Sequence, residues 1–100
     1  MTLREQLIEQ LHKTLLLMED TCPFEELHGE GLSGVIYRRY QNAFSALRDS
    51  GMSYGRRRQS LQFLISINRA YVGSGNHRDD ALREELMETD RLIDHYLNRE

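Results

Sequence analysis

The sequence predicts an all-α fold, an antiparallel bundle of four main helices over about 3–20, 34–50, 54–72 and 79–98. Three observations lead there. Apolar residues recur at helical spacing in four long stretches, β-type alternation is missing, and the chain holds a single proline, Pro23. One hundred residues suit a single domain, large enough for one core but not for two.

The first helix opens with Thr2 as N-cap and Glu5 three residues on, a capping box. Leu3, Leu7, Ile8, Leu11, Leu15 and Met18 then share one face, with Glu5, Glu9, His12, Lys13 and Asp20 opposite. Leu16 falls among those polar groups and Leu17 at their edge, so both require a cover, from the following loop or from another subunit. Pro23 disfavours helical geometry at Cys22 and ends the helix near Thr21. Residues 22–33 read as a connector with Gly29 and Gly31, in which Phe24 and Leu27 can pack.

Ser33 is the expected cap of the second helix, which runs to about Ser50 and is stopped by Gly51. Its core stripe is Ile36, Tyr40, Ala43, Phe44 and Leu47, with Tyr37 at the margin as a possible contact. Ser53 caps the third helix, to about Val72. Its apolar face is wide: Leu61, Leu64, Ile65, Ile67, Tyr71 and Val72, extended by Phe63 and Ala70. Such a helix is expected to be the central one of the fold or to supply a subunit interface. After Gly73-Ser74-Gly75, the fourth helix is capped by Asn76 or Asp79. Its seam of Leu82, Leu86, Thr89, Ile93, Tyr96 and Leu97 suits coiled-coil-like packing, with Leu92 and Met87 partly buried. Leu16, Leu17, Phe63 and Ile67 add more apolar surface than one such bundle easily hides, and so form the candidate association surface of a homodimer.

The net charge of −3 conceals a segregation. Residues 1–34 carry −5, residues 35–72 carry +6 and residues 73–100 carry −4. The basic middle can lie against the protein's own acidic helices, within one chain or across a dimer, or it can face an acidic partner or a nucleic acid. Arg56, Arg57 and Arg58 sharpen the question, because they stand in the first turn of a helix, where the dipole favours acids. Together with Arg38 and Arg39 they are the candidates for holding an anion or an acidic partner. A helix-turn-helix over Ala43–Leu61 fits poorly. It would put Arg57 and Ser60 at positions that normally turn apolar groups inward, and the stretch Phe63–Ile67 is too apolar to lie in a groove.

No catalytic or metal-binding constellation emerges. Glu25-x-x-His28 has a bundle-metal spacing but no second pair, the four histidines are scattered, and Cys22 has no recognisable partner for a dyad. Gly73-Ser74-Gly75 lacks the longer glycine pattern of a phosphate loop. A lone cysteine, no apolar run of membrane-spanning length and no apolar signal core point to a cytoplasmic protein without membrane contact. The expected function is that of a small non-enzymatic protein–protein interaction module, regulatory, adaptor or chaperone-like. It needs no cofactor and self-associates, its partner another protein including a second copy. A nucleic-acid-binding regulator using the arginine-rich second and third helices is the alternative.

Overall fold

The computed structural model describes residues 1–73 and 80–99. It contains α1 (Leu3–Thr21), the single turn α2 (Phe24–Leu27), α3 (Leu32–Arg48), α4 (Tyr54–Gly73) and α5 (Asp80–Arg99). The four long helices form an all-α bundle of 34 × 22 × 21 Å. α1 packs on α3 and α5, and α4 packs on the same two, so the order around the bundle is α1–α3–α4–α5. Neighbours run antiparallel. Arg4 meets Leu47 at one end of the α1–α3 pair, and Glu19 meets Tyr37 at the other.

The local causes are those of ordinary helix chemistry. Glu5 N–H donates to Thr2 Oγ1 at 3.1 Å while the Glu5 carboxylate accepts from Thr2, a closed capping box. Those bonds favour the charged carboxylate and hold Glu5 below its ordinary pKa. Cys22 turns extended before Pro23 and ends α1 at Thr21, as the proline dictates. Ser53 caps α4, its Oγ accepting from Arg56 N–H at 3.3 Å.

Elsewhere the structure corrects the sequence reading. The cap of α3 is Gly31 rather than Ser33. Its first turn lies so close to the connector that a Cβ on Gly34 would sit 2.2 Å from the Gly29 carbonyl oxygen, and only glycine permits that approach. The helix stops at Arg48, not Ser50, with Asp49 as its C-cap. The Asp49 carboxylate accepts from Gly51 N–H at 2.9 Å, so a local side-chain turn, not a glycine, breaks the helix. Tyr37 is buried rather than marginal, its hydroxyl donating to Glu19. That bond and the burial raise its pKa. On α5, Leu92 is buried and Met87 exposed, where partial burial of both was expected. The proposed caps Asn76 and Asp79, and the turn beyond Gly73, lie outside the described residues.

The largest correction concerns α4. Its buried stripe is Leu61, Leu64, Asn68 and Tyr71. Ile65, Ile67 and Val72 are half-buried at its flanks, and Phe63 and Ala70 are exposed. The helix lies diagonally across from α1 and is one of four walls, not the centre of the fold.

Candidate interaction surfaces

The order of helices turns the charge pattern along the chain into a pattern in space. α3 and α4 are adjacent and carry seven arginines with no acid between them. α1 and α5, also adjacent, carry ten acids against five bases. The bundle therefore has a basic side and an acidic side, back to back.

On the basic side the candidate arginines divide by what they touch. The Arg57 guanidinium bends back over the short turn and donates to the carbonyls of Ala46, at 3.2 Å, and Asp49. Arg4 Nε reaches the neighbouring Leu47 carbonyl at 2.7 Å. Two cations thus satisfy the last carbonyls of α3, the negative pole of that helix. This explains how α4 tolerates arginine in its first turn: the turn places it beside the C-terminus of α3. It also explains why Arg57 occupies an inward, half-buried position. Arg38 donates to the Gly29 carbonyl at 3.0 Å. Arg39 lies over the Phe63 ring, 5.0 Å from its centroid, a cation–π pair linking α3 to α4. Arg48 covers Phe44 in the same way at 5.2 Å. Arg56 and Arg58 are exposed.

The four apolar candidates occupy two separate surfaces. Phe63 is 46% exposed beneath Arg39, with Ile67 one turn on and partly packed into the core. Helical spacing places Arg56 two turns before Phe63 on the same line. Leu16, 53% exposed, and Leu17, partly buried, stand on α1. They line a groove of about 550 Å³ between α1 and the start of α5, with Asp20, Glu84 and Glu85 around it. The cation there, Lys13, bridges to Glu85 at 3.1 Å. Because α1 and α4 are diagonal, the Leu16 groove and the Phe63 face belong to opposite sides of the molecule.

Beneath both surfaces runs a polar seam that sequence reasoning did not assemble. Tyr40 donates to Asn68 Oδ1 at 2.9 Å, and Asn68 Nδ2 donates to Asp90 at 2.7 Å. Gln10 Nε2 donates to the Glu85 carboxylate at 2.7 Å. The Thr14 and Thr89 hydroxyls bond the carbonyls one turn back in their own helices and lie 3.5 Å from each other. Burial drives the Tyr40 phenol far above its ordinary pKa and keeps it neutral. Burial also raises Asp90, against the opposing effect of the Asn68 bond. The signal was present in the spacing: Asn68 lies four residues after Leu64 and three before Tyr71, and Gln10 three after Leu7 and four before Thr14. Only Tyr40 and Thr89 were placed on core stripes beforehand.

Among the described residues, no three His, Cys, Asp or Glu side chains gather as a metal site would require. His28 instead packs its ring against Phe24, centroids 4.1 Å apart, and edge-on to Tyr37. No described helix is long and apolar enough to cross a membrane. Protein-family models, curated proteins and solved structures yield no match to the chain.

Proposed function

We propose that this chain is a non-enzymatic protein–protein interaction module that associates with further copies of itself, in a regulatory, adaptor or chaperone-like capacity. The observation that carries the reading is the exposed aromatic Phe63 held under Arg39. Aromatic residues and arginine are the side chains most enriched where proteins bind one another. Leu16, standing over an apolar groove, supplies a second such point.

Light scattering over a concentration series tests it. The average mass should rise above 11.8 kDa with concentration, and Phe63→Ser should suppress the rise. A mass fixed at the monomer value throughout would remove the reading.

Nucleic-acid binding is a second reading, favoured by seven arginines on two adjacent helices without an acid. Against it, Arg38 and Arg57 are turned onto carbonyls of the chain's own backbone. The full-length pairing of α3 with α4 also differs from a helix-turn-helix, whose helices cross steeply. A gel-shift series over salt separates the two readings, since phosphate contacts weaken steeply with salt. Absence of a shift at the lowest salt would eliminate this one.

A further inference from the structure

We infer that copies associate head to tail, the basic α3–α4 face around Phe63 of one copy seating on the acidic α1–α5 face around Leu16 of the next. This rests on the self-association reading and adds the identity and geometry of the two surfaces.

The case is charge complementarity joined to shape. Each side of the bundle presents an exposed apolar side chain, Phe63 or Leu16, among charges of mainly one sign. Around Phe63 stand Arg39 and Arg56, and around Leu16 stand Asp20, Glu84 and Glu85. Lys13 does not reverse the sign there, because it offsets one carboxylate, Glu85, and leaves Asp20 and Glu84. A two-fold dimer built on either face would oppose like charges across its centre, arginine to arginine or carboxylate to carboxylate. Facing the basic side to the acidic side brings unlike charges together and lets the Phe63 ring enter the open groove beside Leu16 and Leu17. The two surfaces are on opposite sides of the molecule, so no chain can satisfy both by closing on itself. Each copy added leaves a basic face open at one end and an acidic face at the other. Such a contact builds rings or open chains and does not stop at two.

Two variants, each damaged on one face, provide the test. Phe63→Glu spoils the basic face and keeps the acidic one, and Leu16→Glu does the reverse. Both positions are about half exposed, and circular dichroism verifies the fold; if either variant loses helicity, Phe63→Ser or Leu16→Ser replaces it. The wild type should pass beyond twice 11.8 kDa as concentration rises. Each variant alone should associate at least tenfold more weakly. Their equimolar mixture should form a one-to-one dimer through the remaining intact pair of faces, and the two damaged faces, both bearing glutamate, should cap it. A wild type that stops at a dimer, with a mixture no larger than its components, would overturn the head-to-tail geometry and leave self-association standing. A wild type that is monomeric throughout, or that gains mass only on adding nucleic acid, would overturn both.

Discussion

Asn68 concentrates the interior chemistry of this protein in one side chain. It is 1% exposed, accepts from Tyr40 on α3 and donates to Asp90 on α5, so three helices meet at one amide. Replacing it with alanine leaves a buried phenol short of an acceptor and a half-buried carboxylate without its donor. An Asn68→Ala protein should therefore lose about 2–4 kcal/mol in urea unfolding, against about 1 kcal/mol for Tyr40→Phe, which leaves the Asn68–Asp90 bond in place. Asp90 behaves differently, because burial disfavours its charge. Its folded pKa lies above the ordinary value of 3.8, so ionisation costs stability fully above the folded pKa, and the cost vanishes once pH falls below 3.8. Asp90→Asn keeps an acceptor for Asn68 and removes that cost. It should stabilise the protein at pH 7 by less than about 1 kcal/mol, since solvent still reaches the group. The advantage over wild type should disappear in urea titrations below pH 4. Equal advantage at both pH values would show that the charge is not the cause.

At the scale of elements, helix ends decide more than helix faces. The C-terminus of α3 is closed by Arg57 and Arg4 from two other segments. Arg57→Ala should cost about 1 kcal/mol, as loss of a charged hydrogen-bond donor at a helix end does, while Arg58→Ala, at an exposed position, should change the urea midpoint little. Gly34→Ala should cost about 1–3 kcal/mol by forcing the connector off the start of α3, read from the melting temperature. Much of this scale was legible in the sequence. The Thr2–Glu5 box, the stop before Pro23 and the Ser53 cap are short-range chemistry and stand where the residues put them. The misplaced limits of α3 need geometry that a helical wheel lacks: at the start the connector folds back until Gly29 meets Gly34, and at the end the Asp49 side chain closes a turn on Gly51. The breadth assigned to α4 had a related flaw. A wheel shows which residues are apolar, not how many neighbours a helix has, and with only α3 and α5 beside it Phe63 stays outside. Asn68 was passed over for being polar, although its spacing from Leu64 and Tyr71 marks it as interior.

Over the whole molecule, the arrangement of helices converts a sequence of acidic, basic and acidic thirds into two opposed faces. The segregation was legible in the chain, and its spatial meaning was not, because it depends on which helices are neighbours. Had α3 and α4 been diagonal, each basic helix would have lain between two acidic ones and the charges would have cancelled inside one copy. They are adjacent instead, which leaves one basic side and one acidic side on the molecule. The decisive measurement is sedimentation velocity of the unaltered chain at low and high salt. Exposed charges separated by more than a few ångströms are heavily screened at about 1 M salt. The average mass should exceed 11.8 kDa at low salt and fall back toward it as salt rises. A mass of 11.8 kDa at every salt concentration, or association that tightens as salt is added, would contradict attraction between the two faces.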